Sequence, residues 1–348
     1  MQYKPSAIPL LLTCLVLSAA AQDRPRATAP ATRTEIARAA SGSALMASNR
    51  LAPEPPPTAA IAVGPKPKEQ GLLTIRKEVR EVRLLFTVTD EHNRPVRDLK
   101  REQVTVLDRA KPVQITSFTR DTGLPLHLGI LLDNSASVEK QFVAEQQAAG
   151  QFLRRVLRPD SDRAFVVSFN MHSSLRQDET GNMQELTSAI ESTRPDSGMT
   201  AIYDAIVDAC SKRLSADDRL TRRAIVLLSD GEDNFSIHSI VDAAEAAQRA
   251  EIALYTISIH PGRSKTAGDM VMERLAGATG GLAFVVSKPE QFAEAFTAIE
   301  EQLRSQYAVT YKPAGPPSDS GFSRVRVNVN DPRQFTVHAR AGYWEPRR

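Results

Sequence analysis

Carboxylate and hydroxyl side chains follow two apolar runs of this chain whose composition is typical of buried strands. Asp133, Ser135 and Ser137 follow the first run in an Asp-x-Ser-x-Ser arrangement, and Asp230 follows the second. Carboxylate and hydroxyl oxygens are hard donors, which suit Mg²⁺, Mn²⁺ or Ca²⁺ rather than Zn²⁺. The two segments therefore predict a site for a hard divalent cation.

The elements that must position these side chains are strands alternating with helices. Continuous apolar runs are typical of parallel strands covered on both faces, and their alternation with helical patterns predicts a doubly wound α/β sheet. Ligands of such a sheet bind at the C-terminal ends of its strands. We therefore expect Asp133 and Asp230 at one edge, joined by Thr200 from the start of a helix. The predicted strands cover residues 126–133, 164–169, 224–229, 253–259 and 282–286.

Five of these residues resemble the metal-ion-dependent adhesion site (MIDAS) of von Willebrand factor A (VWA) domains, over about residues 124–305. The resemblance implies a Rossmann-like VWA sheet that binds Mg²⁺, or Mn²⁺ or Ca²⁺, and no catalysis. It also implies a protein partner whose exposed Asp or Glu completes the cation's ligand shell. The implied metal ligands are Asp133, Ser135, Ser137, Thr200 and Asp230.

The segments on both sides of the α/β region have the alternating texture of β-strands. Each flank, residues 72–123 and 307–348, has too few strands for a stable sheet structure alone. We therefore predict that both flanks form one β-sandwich into which the VWA domain, residues 124–306, is inserted. The flanks and the Asp-Asn-Ser-Ala-Ser loop resemble a bacterial, Acidobacteria-type group of VWA-related proteins, as does the terminal Ala-Arg-Ala-Gly-Tyr343 segment.

The N-terminal residues predict export from the cytoplasm. Residues 1–21 combine a positive residue, an apolar run and small residues before Gln22, as in a cleaved signal peptide. An uncleaved anchor is the alternative. Residues 22–71 are rich in Pro and Ala and predict a disordered tether. We expect the mature chain to be periplasmic or secreted and to contain no transmembrane segment. Its single cysteine would be Cys210, which is expected to be buried.

The predicted function is divalent-cation-dependent protein binding or adhesion. One alternative is an assembly factor that cooperates with an ATPase or envelope complex, and another is a metal-dependent hydrolase. Only Lys140 and His238, at the margins of the site loops, could serve a hydrolase as general base. Asp204, Glu232 and Asp233 are expected to cap helices or tune the local field. A net charge of +3 without a basic run predicts no nucleic-acid partner.

Overall fold

The computed structural model describes residues 81–345 apart from 93, 122, 215–220, 261–263, 316–317 and 332. The predicted signal peptide and tether, residues 1–71, lie outside the described residues. The first described block is mainly β, with one 3₁₀ turn before its second strand. Its strands are β1 (Val82–Thr89), β2 (Val104–Asp108), β3 (Lys111–Val113) and β4 (Ile115–Asp121).

The central block alternates strands and helices. Its strands are β5 (Leu126–Asp133), β6 (Arg163–Phe169), β7 (Ser173–Thr180), β8 (Arg222–Ser229), β9 (Ile252–Ile259) and β10 (Ala283–Val286). None of the helices in the described part of the chain combines the length and apolar character that a membrane crossing requires. They are α1 (Phe142–Val156), α2 (Met183–Ser192), α3 (Ile202–Lys212), α4 (Ile240–Arg249), α5 (Ala267–Thr279) and α6 (Glu290–Leu303).

One six-stranded sheet organises this block, in the order β10-β9-β8-β5-β6-β7. All neighbouring strands are parallel except β7, which pairs antiparallel with β6 at the edge. Every residue of β8 is buried, as a strand covered by helices on both faces requires. This is the predicted α/β fold class. Cys210, on α3, is 3% exposed as expected, and burial raises the pKa of its thiol to about 12.

The last described block returns to β structure and completes a sandwich. It contains β11 (Gln306–Tyr311), β12 (Phe322–Val329), β13 (Thr336–Ala339) and β14 (Gly342–Trp344). The two four-stranded sheets have the orders β13-β1-β11-β4 and β14-β12-β2-β3, so each sheet draws strands from both flanks. Apolar side chains of both sheets form one core, in which Tyr307 stacks on Phe86 and Phe118 at centroid distances of 5.6 and 5.4 Å.

The α/β block is attached to the sandwich by polar contacts as well as by the chain. Gln302 on α6 donates a 2.6 Å hydrogen bond from Nε2 to the buried Thr87 hydroxyl of β1. Arg340, beside β13, forms a 3.0 Å ion pair with Glu251, the residue before β9. Both contacts lie at the end of the sheet opposite the carboxyl end of β5, which leaves that carboxyl end clear of them.

Candidate functional site

Asp133 is the last residue of β5, and its side chain is 0% exposed. One carboxylate oxygen accepts a 2.9 Å hydrogen bond from the Ser135 amide, and the other accepts a 2.6 Å hydrogen bond from the Ser229 hydroxyl. The pKa of Asp133 is raised to about 6, mainly by burial and to a smaller extent by the charge of Asp230, against the opposing effect of the hydrogen bonds. A buried carboxylate that is costly to ionise benefits from a nearby cation.

The loop after Asp133 brings two hydroxyls together. Ser135 precedes a single 3₁₀ turn, Ala136–Val138, whose tight geometry places the Ser135 and Ser137 hydroxyl oxygens 3.1 Å apart. Ser135 is 1% exposed, whereas Ser137 is exposed. The loop therefore presents a carboxylate and two hydroxyls as a compact group of oxygen donors, as its Asp-x-Ser-x-Ser spacing predicts.

Asp230 follows β8, the strand next to β5 in the sheet. Its carboxylate accepts a 3.0 Å hydrogen bond from the Glu232 amide, and the turn continues through Gly231 at φ 81°. A Cβ on Gly231 would lie 2.4 Å from the carbonyl oxygen of Gly268 in α5. Only glycine permits this close approach, which holds the Asp230 loop against the first turn of α5.

Ser229 links the two carboxylate loops, a role that the sequence analysis did not assign. Its hydroxyl donates to Asp133 and accepts a 3.1 Å hydrogen bond from the Gly231 amide. Ser229 lies at the buried end of an apolar strand. In the sequence, only its position directly before Asp230 could have indicated that it belongs to the site. The link fixes the spacing of the β5 and β8 loops.

Thr200 joins the site through the backbone. Its amide donates a 2.8 Å hydrogen bond to the Asn234 side chain, and its carbonyl accepts a 3.0 Å hydrogen bond from the Asn234 amide. Asn234 belongs to the loop that begins at Asp230, so Thr200 and Asp230 are tied to the same segment. Thr200 is 3% exposed and lies just before α3.

Asp233 caps a helix, as expected, whereas Asp204 binds the backbone of the loop before α4. Asp233 accepts a 3.2 Å hydrogen bond from the amide of Tyr203 in the first turn of α3. Asp204 accepts hydrogen bonds from the amides of Ile237 and His238 at 3.1 and 2.9 Å. Nδ1 of the His238 ring lies 2.7 Å from the same carboxylate, within hydrogen-bond distance, which holds the imidazole in place.

Glu145 is a buried acid that the sequence analysis missed. It lies in the first turn of α1, is 0% exposed, and neither of its carboxylate oxygens has a hydrogen-bond partner among the described residues. Burial raises the pKa of Glu145 well above its usual range, and the charges of Asp133 and Asp230 add to this effect. The sequence around Glu145 is the same as for a glutamate on an exposed helix surface. The sequence alone therefore gave no indication that this side chain is buried.

The donor set fits a hard divalent cation. No group of three His, Cys, Asp or Glu side chains suited to a metal occurs in the described part of the chain. A cation here would need hydroxyl and water oxygens beside the two carboxylates, as Mg²⁺, Mn²⁺ and Ca²⁺ accept. The unpartnered Glu145 oxygens and the buried Asp133 carboxylate are acidic groups that a cation in this region would offset. The five predicted ligands lie on loops at the carboxyl edge of the sheet, and their assignment as ligands stays a prediction.

Comparison with curated proteins finds a partial relative. The calcium-activated chloride channel regulator 3A-1 of Mus musculus is 26% identical over 178 residues, which cover 49% of this chain and 18% of that protein. The chain therefore spans less than a fifth of the length of the mouse protein.

Solved structures resemble part of the chain. An aerotolerance-related membrane protein from Bacteroides fragilis NCTC 9343 is 18% identical with a TM-score of 0.44, covering 51% of this chain and 98% of that one. Proximal thread matrix protein 1 from the mussel byssus, with a zinc-occupied MIDAS motif, is 14% identical with a TM-score of 0.46, covering 57% and 50%. The model of the von Willebrand factor type A domain family matches residues 127–298, which contain all six strands of the α/β sheet apart from the first residue of β5. The chain therefore contains a von Willebrand factor type A domain.

Proposed function

We propose that this protein binds a protein partner through a divalent cation held by Asp133, Ser135, Ser137, Thr200 and Asp230. The observation that carries the proposal is the buried Asp133 carboxylate beside the paired hydroxyls of Ser135 and Ser137, 3.1 Å apart, at the carboxyl edge of the sheet. Mg²⁺ is the expected ion, with Mn²⁺ or Ca²⁺ as substitutes.

The charge balance of the site favours a partner carboxylate. Asp133 and Asp230 supply two negative charges, and the remaining three donors are neutral hydroxyls. A hard divalent ion prefers at least six oxygens, so water or a partner must supply the remainder. An Asp or Glu of the partner would add both an oxygen and a negative charge to an electrophilic ion. The cation then joins the two proteins directly.

Exposed apolar side chains near these loops support a macromolecular partner. Met199, Phe235 and Ile237 are 51%, 43% and 93% exposed. Met199 precedes Thr200, and the Phe235 amide donates a 3.1 Å hydrogen bond to the Thr200 carbonyl. Apolar surface beside a polar centre is characteristic of protein interaction sites.

The positions of the two candidate general bases, His238 and Lys140, favour a binding role over hydrolysis. His238, one of the two candidate bases, is engaged by Asp204 at 2.7 Å, and Lys140 is exposed on the connection to α1. Within the described residues, neither is held against the Asp133 or Asp230 carboxylate by a hydrogen bond. A general base must reach the proton that it removes, within hydrogen-bond distance or through one water.

Titration calorimetry with Mg²⁺ and Mn²⁺ tests the cation site. We expect wild-type binding to be lost in Asp230→Asn and retained in Glu232→Gln, because Glu232 shares the loop and its backbone amide, which the substitution keeps, donates to Asp230. Unchanged affinity in Asp230→Asn would contradict the site. Capture of partners from envelope fractions in Mg²⁺ and in EDTA then tests cation-dependent recognition. Equal recovery in both buffers would assign recognition to another surface.

The site of action proposed for the protein is the periplasm or the exterior of a bacterial cell. The support is the order of positive, apolar and small residues in residues 1–21. Mass spectrometry of the native product should find a chain that begins near Gln22. An intact Met1 in a cytoplasmic fraction would contradict export and favour the assembly-factor alternative.

A further inference from the structure

Glu145 is the least satisfied acid in the described part of the domain. It is 0% exposed, and both carboxylate oxygens are buried without a hydrogen-bond donor. Native proteins rarely leave buried carboxylates in this condition, because the desolvation of an unpaired charge costs several kcal/mol. Burial therefore disfavours the ionised form of Glu145, and a nearby cation would favour that form.

The surroundings of Glu145 point to the cation centre. Glu145 lies in the first turn of α1, directly after the loop that carries Ser135 and Ser137. The charges that act on it are Asp133 and Asp230, both of the same sign as its own. These two residues are the acids of the proposed cation site. A divalent ion between them would offset both negative charges, so that Glu145 would no longer face uncompensated charges of its own sign.

We propose that Glu145 is the buried charge partner of the bound cation and strengthens cation binding without ligating the ion. Glu145 is assigned no direct bond to the ion, because Asp133, Asp230 and Glu145 do not form a three-acid metal-binding cluster among the described residues. Charges separated by several ångströms in a poorly hydrated interior interact strongly. Outer residues of metal sites commonly change metal affinity by about 10–100-fold.

This inference rests on the proposed function, since it needs a cation at the MIDAS loops. The test uses the full chain and compares Glu145→Gln with Glu139→Gln. Glu139 is exposed on the segment that leads into α1 and provides a matched charge removal. Titration calorimetry measures Mg²⁺ and Mn²⁺ affinity, and thermal unfolding is followed in EDTA and in Mg²⁺.

We expect Glu145→Gln to weaken Mg²⁺ binding by about 10-fold or more. The melting temperature in EDTA should stay near the wild-type value, because a glutamine has nearly the shape of the neutral acid. The melting temperature in Mg²⁺ should fall. Glu139→Gln should match the wild type in both buffers. A purely structural role for Glu145 would instead shift both melting temperatures together.

Equal Mg²⁺ affinity in wild type and Glu145→Gln would overturn this inference and leave the proposed function intact. Absence of Mg²⁺ binding to the wild type would overturn both. If Glu145→Gln does not fold, Glu145→Leu keeps similar bulk without a polar group. Wild-type affinity in that variant would likewise contradict a charge role.

Discussion

Replacing Asp133 by asparagine should stabilise the cation-free protein at neutral pH and abolish cation binding. Burial raises the pKa of Asp133 from 3.8 to about 6. At about 1.36 kcal/mol per pKa unit, the difference of roughly two units means that the ionised side chain costs the folded state about 3 kcal/mol. The asparagine side chain in Asp133→Asn would have a similar shape and no charge, although its single amide oxygen would accept only one of the two hydrogen bonds, and more weakly.

The pH dependence of the stability difference between Asp133→Asn and wild type shows whether the charge of Asp133 causes it. Because the folded pKa lies above the unfolded value, the contribution of Asp133 to stability is fully present below about pH 3.8. It is lost as the pH rises through about 6. The advantage of Asp133→Asn over wild type should therefore be about 2–3 kcal/mol larger at pH 7 than at pH 4. Any fixed cost from the weaker hydrogen bonds cancels in this difference.

Urea unfolding in EDTA at both pH values, with calorimetric titration of Mg²⁺ at pH 7, makes the measurement. Asp160→Asn is the control, because Asp160 is exposed in the turn after α1. Cation affinity of the wild type should also fall as the pH decreases through about 6, since protons compete for Asp133. A stability difference that is independent of pH would refute the electrostatic reasoning. Retained Mg²⁺ affinity in Asp133→Asn would refute the ligand assignment.

The packing of the site loops gives two more predictions. Gly268→Ala should destabilise the protein by about 1–3 kcal/mol and weaken Mg²⁺ binding, because the added Cβ would lie 2.2 Å from the Asp230 carbonyl oxygen. Gly277→Ala on the same helix meets nothing within 4 Å and should be neutral or stabilising, so an equal loss in urea unfolding would contradict the packing argument. Ser229→Ala removes the 2.6 Å donor to Asp133 and should cost about 1–3 kcal/mol; unchanged unfolding would show that this link is dispensable.

The parallel sheet could be predicted because each of its central strands is recognisable from the apolar residues of its own segment. Most of the buried residues of β5, β8 and β9 are apolar, and the observed ends differ from the predicted ones by at most two residues. The positions of Asp133 and Asp230 followed from the rule that ligands gather at the carboxyl ends of such strands. The sandwich followed from the small number of strands in each flank.

The missed features depend on three-dimensional contacts. The sequence of β7 shows no regular spacing of apolar residues, because this strand lies at the edge of the sheet beside β6 and is mostly exposed. Ser229 acts through hydrogen bonds to two loops that are distant in sequence. Glu145 is buried only in the folded protein, and no helical pattern distinguishes it from a solvated glutamate. Contacts of this kind are decided by packing rather than by local residue type.

The pairing of β4 with β11 has a mechanical consequence. These strands lead into and out of the VWA domain, and they lie side by side, with backbone pairing from Gln306 opposite Asp121 to Tyr311 opposite Ile115. β1 is held between β11 and β13 in the same sheet. A pulling force on the chain outside the sandwich would load these ladders before it reached the domain. The cation loops would then keep their geometry under tension until the sandwich yields.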